Sequence, residues 1–160
     1  MLIVSSIQFK DFNINFNIKK ENTIPNSLRE KFRKELANID NDIVSYYFDL
    51  KNLNSIIYVL YADEHVIGYS NINDDSLYWN IYEIFIEEEF RELGLGTKIF
   101  QYILKESKKN KKKIRTYTLP SDRKAKNFYE SNRITARVLI MEEKRAHSRY
   151  RPWWHYLYRR

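Results

Sequence analysis

The chain of 160 residues has no cysteine and only three glycines, three prolines and three histidines. Without cysteine it can form no disulfide, no thiolate metal site and no cysteine nucleophile, which suits a reducing, cytoplasmic setting. His65, His147 and His155 lack ligand-like spacing, so no metal is expected. The longest uncharged apolar run, Ile56–Ala62, falls far short of the ~20 residues of a membrane span, which argues against integral membrane insertion. Met1–Ile7 is too short and lacks the basic flank of a signal peptide. No repeat and no linker interrupts the chain. At 43% hydrophobic residues, the expectation is one soluble domain with a sizeable core.

Charge is present in excess but unevenly placed. Residues 1–106 carry 11 Lys/Arg against 17 Asp/Glu, a net −6, and residues 107–160 carry 17 against 4, a net +13. Such a split points to an anionic partner for the C-terminal third. Arg145–Arg160 interleaves five arginines with Tyr150, Trp153, Trp154, Tyr156 and Tyr158. Cations attract phosphates and aromatic rings stack on bases, so this tail suits RNA or another polyanion. The same residues suit a homodimer contact, packing on the domain itself or a membrane surface. The lysines of Lys108–Lys113 have a simpler reading, as complements to a helix C-terminus.

Two of the three glycines stand in one short stretch, Arg91-Glu92-Leu93-Gly94-Leu95-Gly96. It joins a strand-like run, Ile81–Ile86, to a helical stripe of Leu95, Ile99 and Ile103. Glycines at such a junction let a ligand approach the backbone, and the first helical turn offers unpaired N–H groups and the positive end of a dipole. The pattern suits a pyrophosphate, with Arg91 as a cation at the mouth. A Walker-type loop is excluded, because Gly96-Thr97-Lys98 has the last pair reversed. A dinucleotide fingerprint is excluded by Ile99 where a third glycine belongs. A plain tight turn remains open.

The rest of the chain reads as mixed α/β. Phe12, Ile14, Phe16 and Ile18 alternate with asparagines as a half-buried strand. Ser27-Leu28-Arg29-Glu30 after Pro25 reads as a capping box opening a helix lined by Leu28, Phe32 and Leu36. Asp40–Leu53 reads as a second helix or a turn-rich piece. Ile56–Ala62 and Val66–Ile72 form a hairpin, followed by a strand over Leu77–Ile86. After the glycine-led helix come a strand at Ile114–Leu119, a helix over 121–131 and a last strand at Ile134–Met141. The order is β-α-α-β-β-β-α-β-α-β.

Arg91–Gly96 resembles the acyl-CoA motif of the GNAT (Gcn5-related N-acetyltransferase) superfamily, Arg/Gln-x-x-Gly-x-Gly/Ala. Upstream, Glu83-Ile84-Phe85-Ile86 and the acidic turn Glu87–Glu89 resemble the family's fourth strand and its exit. Downstream, Ser121–Ser131, with Ala125 and Phe128-Tyr129-Glu130, resembles its second motif. The resemblance covers roughly residues 56–142 and implies a GNAT-like mixed central sheet flanked by helices. It places the acetyltransferase domain at residues 1–144 and a basic aromatic tail at 145–160. It also implies acetyl-CoA as acyl donor. Phe85 and Ile86 would meet pantetheine where two strands splay. Leu93, Gly94, Leu95, Gly96 and Thr97 would wrap the pyrophosphate, with Arg91 at the rim and Asp122 and Lys124 flanking.

By the same resemblance Tyr129 is the candidate proton donor to the leaving thiolate. A phenol near pKa ~10 suits a thiol near ~8.5. Glu83 is the candidate general base, its side chain opposite in face to Ile84 and Ile86. The family's usual base positions fall here on Asn80 and Tyr117, neither a carboxylate. Asp122 replaces the common asparagine, and Asn132-Arg133-Ile134 replaces the usual glycine-aromatic step. The expected activity is direct transfer of acetyl to a primary amine of a protein, a small molecule or an aminoacyl-tRNA. The alternatives are a non-catalytic CoA-binding module of the same fold, or a nucleic-acid-binding protein acting through its tail.

Overall fold

Alternation in the first strand region and continuous apolar runs in the next strands build a sheet that is covered on both faces. The computed structural model describes residues 6–11, 13–41, 44, 54–139 and 141. The strands are β1 (Ser6–Asp11), β2 (Ile14–Glu21), β3 (Ser55–Ala62), β4 (His65–Asp74), β5 (Tyr78–Ile86) and β6 (Lys113–Thr116). They lie in sequence order in one sheet. β1 to β5 are antiparallel neighbours, whereas β5 and β6 run parallel. Helix α1 (Asn26–Ile39) follows β2, α2 (Leu95–Lys109) makes the crossover that a parallel pair requires, and α3 (Arg123–Ser131) follows β6.

Alternating residues of β3 show how the core divides. Tyr58 and Leu60 face a large cluster that includes Ile81, Ile86, Leu95, Ile99, Phe100, Ile103 and Tyr129, so α2 and α3 cover that face. Ile57 and Val59 face a smaller cluster with Leu28, Tyr69 and Phe85, covered by α1. The helical stripes Leu28–Leu36 and Leu95–Ile103 are buried as their spacing predicts. The fold is therefore the expected mixed α/β sheet flanked by helices.

Local differences from the sequence reading have physical causes. The alternating run forms β2, and a strand the sequence reading missed precedes it: β1 pairs with β2 from Ser6↔Lys19 to Asp11↔Ile14. Asn13 lies in the turn at φ 61°, a conformation that asparagine tolerates, and no glycine or proline advertises it. Ser27 does not cap α1. The helix starts one residue earlier, and the Pro25 carbonyl accepts the N–H groups of Leu28 and Arg29 at 3.1 and 3.0 Å. Of the segment 40–53, Asn41 and Val44 are helical, and most of the rest lies outside the described residues.

The last expected strand, Ile134–Met141, is absent among the described residues, where 134–139 have no regular structure. Val138, Leu139 and Met141 are 86, 66 and 80% exposed, so their aliphatic content has no sheet neighbour to bury it. The tail 145–160 lies outside the described residues.

Candidate active site

The β5–β6 ladder is short. It joins Tyr78↔Lys113, Trp79↔Ile114, Asn80↔Arg115 and Ile81↔Thr116, and ends there, while β5 stays paired with β4 as far as Gly68↔Ile86. Residues 82–86 of β5 therefore run on without a β6 partner, beside a gap between two parting strands. A bulge marks the same place: Asn71 pairs with Glu83 and Ile72 with Ile81, which leaves Tyr82 as the extra residue. Bulges redirect side chains and loosen pairing.

At one end of the gap lies the glycine turn. Gly94 adopts φ 74°, the left-handed region, immediately before α2, and a Cβ there would meet nothing within 4 Å. Backbone conformation alone demands glycine at this position. Gly96 differs. A Cβ there would stand 3.3 Å from the Phe128 ring and 4.0 Å from Ile86, so its smallness lets the first turn of α2 close on α3 and on the end of β5. No side chain caps α2, and its first intrahelical bond runs from the Lys98 N–H to the Gly94 carbonyl at 3.0 Å. The amides of Leu95, Gly96 and Thr97 precede that bond and are the donors a helix start offers an anion. Leu95 is buried, and Leu93 is partly buried against the same cluster, which anchors the turn.

At the other end, Tyr129 is buried behind the last paired residue of β6. Thr116, whose Oγ1 donates to the Ile81 carbonyl at 3.3 Å, is a polar neighbour of its hydroxyl, and Phe100 and Phe128 meet its ring edge-on at 5.8 and 5.2 Å. Burial pushes the phenol up to about 12; the polar Thr116 side chain lowers it and the Asp122 charge adds to the rise. The phenol therefore keeps its proton across neutral pH. Thr116 had no local signal in the sequence, because its importance comes from where the strands part.

Two expected site residues, Arg91 and Glu83, are held by partners within the protein. Arg91 is not a free cation at the mouth. Its Nε donates to the Ile86 carbonyl at 2.7 Å, a terminal nitrogen pairs with Glu35 of α1 at 2.7 Å, and the guanidinium lies 5.2 Å from the centre of the Phe85 ring. Its charge is spent on tying the glycine loop to β5 and α1. Phe85 correspondingly points into the α1-side cluster, while Ile86 points to the α2 side. Asp122 caps α3: its Oδ1 accepts the Ala125 N–H at 2.9 Å. Lys124 is exposed on that helix, and Lys126 pairs loosely with Glu130 at 3.8 Å.

Glu83 is the second. It is only 3% exposed and lies on the α1 face, away from Tyr129. Arg29 donates to its Oε1 at 3.0 Å, Asn71 Nδ2 to the same oxygen at 3.1 Å, and the Tyr69 hydroxyl to Oε2 at 2.7 Å. A carboxylate with both oxygens occupied stabilises the charges around it and is poorly placed to take a proton from substrate. Glu83→Gln is expected to cost about 1–3 kcal/mol of stability, because Arg29 loses its charged partner. Urea unfolding measures this, and an unchanged midpoint would return Glu83 to the list of candidate bases.

Gly68 of β4 is a further constraint that motif reading passed over. A Cβ there would lie 2.7 Å from Ile86 Cδ1 and 2.8 Å from the Phe85 carbonyl, so β4 must be bare where it supports the unpaired end of β5.

A family model described as an acetyltransferase (GNAT) domain matches residues 53–132, from the start of β3 through α3. No curated protein sequence matches the chain. Among solved structures, an acetyl transferase of Pyrococcus furiosus is similar at 19% identity and TM-score 0.66, covering 81% of this chain and 99% of that one. A GNAT family acetyltransferase from Elizabethkingia anophelis, with acetyl-CoA bound, is similar at 18% identity and TM-score 0.56, covering 73% of this chain and 74% of its own. The aminoglycoside N-acetyltransferase AAC(6')-Iy in complex with CoA is similar at 13% identity and TM-score 0.57, covering 83% and 96%. At these identities the neighbours speak for the fold, and the family match spans the parting strands, the glycine turn and the Tyr129 helix together. The chain belongs to the GNAT acetyltransferase family.

Proposed function

We propose that this protein moves the acetyl group of acetyl-CoA directly onto the nitrogen of a primary amine. The observation that carries this reading is the β5–β6 ladder ending at Ile81↔Thr116, with the uncapped start of α2 at one end of the gap and Tyr129 at the other. The residues suit the donor. Amides of Leu95, Gly96 and Thr97 would hold its pyrophosphate, the unpaired edge of β5 at Phe85–Ile86 would receive its amide-bearing arm, and Asp122 and Lys124 would flank it. When bound, acetyl-CoA supplies an activated thioester. The acceptor nitrogen, neutral when it attacks, bonds to the thioester carbon and the carbon–sulfur bond breaks. The thiolate departs against the Tyr129 hydroxyl, and the proton shed by nitrogen passes through solvent to the sulfur.

The raised phenol alters what Tyr129 does. Passing its proton fully from about 12 to a thiol near ~8.5 runs uphill by roughly 5 kcal/mol. Tyr129 therefore serves best by donating a hydrogen bond to charge developing on sulfur. A lack of cysteine fits direct transfer, with no covalent enzyme intermediate, and a cytoplasmic pool of donor. We assign the catalytic domain to residues 1–144 and contact with a polyanion or a second copy to the tail 145–160.

A second reading, a CoA-binding module without catalysis, draws on the locked Glu83 and on Asn80 and Tyr117 at the family's base positions. Calorimetric titration separates the possibilities. Acetyl-CoA should bind with micromolar affinity and ATP at least about tenfold more weakly, since both carry phosphates but only one has the arm for the β5 edge. No binding of acetyl-CoA would sink both readings, and binding without turnover on a broad amine panel would favour the module.

A further inference from the structure

The face of the β5–β6 junction opposite Tyr129 carries a row of polar and aromatic groups that the donor site does not use. Trp79 and Ile81 point into the α2-side cluster, so Asn80 between them points to the α1 side. On β6, Ile114 packs on the α2-side cluster and Thr116 meets Tyr129, which turns Lys113, Arg115 and then Tyr117 to that same α1 side. Arg115 is exposed, and its guanidinium lies 3.8 Å from the centre of the Tyr78 ring. It forms no ion pair among the described residues. One position further along the row, the Tyr117 ring meets Tyr82, the bulged residue, at 5.4 Å. The Tyr117 hydroxyl donates to Asn80 Oδ1 at 3.3 Å.

We propose that the acceptor is an amine that also carries an anionic group, with Arg115 holding the anion and the Tyr117–Asn80 pair receiving the amine at the gap. The inference rests on the acetyltransferase reading above and names the substrate class for it. Three features support it. First, Tyr117 commits its proton to Asn80, which leaves its oxygen lone pairs to accept an amine N–H in the gap. Asn80 is 4% exposed, so that orientation is set from below.

Second, Tyr78 holds the Arg115 guanidinium by its face and leaves its edge donors for a carboxylate or phosphate. Residues 115 and 117 are two positions apart on one strand face, about 7 Å. Third, exposed cations outweigh the free acid nearby. Lys113 is exposed beside Arg115, Glu83 is paired with Arg29 and Asp74 with Lys112, against exposed Asp75, whose N–H donates to the Tyr78 carbonyl at 2.8 Å. A polycationic acceptor is disfavoured there. Positive surroundings also lower the pKa of a bound amine and raise its neutral, nucleophilic fraction. That supplies by electrostatics what Asn80 and Tyr117 cannot supply as bases.

The test is calorimetry on the CoA-saturated protein with three probes of equal chain length: aminohexanoate, aminohexyl phosphate and hexylamine. At least one anionic probe should bind about tenfold or more tightly than hexylamine. Arg115→Gln should bring the probes to within about twofold of one another, and Tyr117→Phe should weaken all three by a similar factor of several-fold. CoA affinity should stay unchanged in both variants. Aminohexanoate and aminohexyl phosphate tell a carboxylate-bearing acceptor from a phosphate-bearing one. Equal binding of hexylamine, no binding of any probe to the CoA-loaded protein, or a preference that survives Arg115→Gln would each overturn the proposal while leaving the donor site standing. Failure of CoA itself to bind would remove the acetyltransferase reading and this inference with it.

Discussion

Gly96→Glu is expected to weaken acetyl-CoA binding about a thousandfold, roughly 4 kcal/mol, with the protein still folded. Two effects act in the same direction. A Cβ at this position begins 3.3 Å from the Phe128 ring, so the longer side chain must leave along the groove that α2, α3 and the end of β5 enclose. Its carboxylate then arrives beside the amides of Leu95–Thr97. A carboxylate is itself stabilised at a helix N-terminus, so it would take the place proposed for pyrophosphate and repel what remains of that ligand's charge.

Gly96→Ala isolates the steric part. It adds only the Cβ, which the Phe128 ring edge can accommodate by moving a few tenths of an ångström, and a loss of about threefold is expected. Calorimetry measures affinity, and a thermal melt shows that each variant is folded. Unchanged affinity in Gly96→Glu would remove the pyrophosphate from the start of α2.

Tyr129→Phe is expected to lower kcat by about 100-fold and leave the affinity for acetyl-CoA within about threefold. The ring keeps its edge-on contacts with Phe100 and Phe128, so packing survives. What disappears is one hydroxyl aimed at the place where the strands part. In the proposed role that hydroxyl acts when charge forms on sulfur, so its loss should appear in kcat and kcat/KM alike. The wild-type pH profile carries a second signature. With its phenol raised to about 12, Tyr129 should cause no alkaline fall in kcat below about pH 10. The stability bound up with the neutral phenol is likewise present below pH ~10 and lost as pH rises toward 12. Free-thiol detection suits the assay, since a chain without cysteine contributes no background. A variant as fast as the parent would leave Tyr129 as a core residue only.

Comparing Gly94 with Gly96 shows what a motif conceals. In the sequence both read as bare backbone for a phosphate. In the structure Gly94 is required by a left-handed φ with open space around it, and Gly96 by a ring against it. A substitution at Gly94 is strained by roughly 1–2 kcal/mol, whereas one at Gly96 is crowded. Arg91 teaches the same lesson. A cation beside a phosphate loop suggested a ligand contact, yet its partners, Glu35 and the Ile86 carbonyl, are 56 and 5 residues away in the chain.

Much was determined by the sequence alone, because it rests on local physics. Alternation produced β2, apolar runs bounded by turns produced β3, β4 and β5, the i, i+4 stripes produced the buried faces of α1 and α2, and glycine spacing at a strand-to-helix junction produced the turn that opens α2. Exclusion of disulfides and thiolate metals followed from composition. Tertiary structure decided everything that depends on which distant groups meet. It paired the alternating run, as β2, with an added strand β1 through the turn at Asn13, and left residues 134–139 without regular structure. It locked Glu83 between Arg29, Asn71 and Tyr69, set Thr116 against Tyr129 where the ladder ends, and turned Arg115 and Tyr117 to the opposite face. A side chain's type is a property of the sequence, but whether a carboxylate is a base or an anchor depends on its neighbours, and long-range pairing alone chooses them.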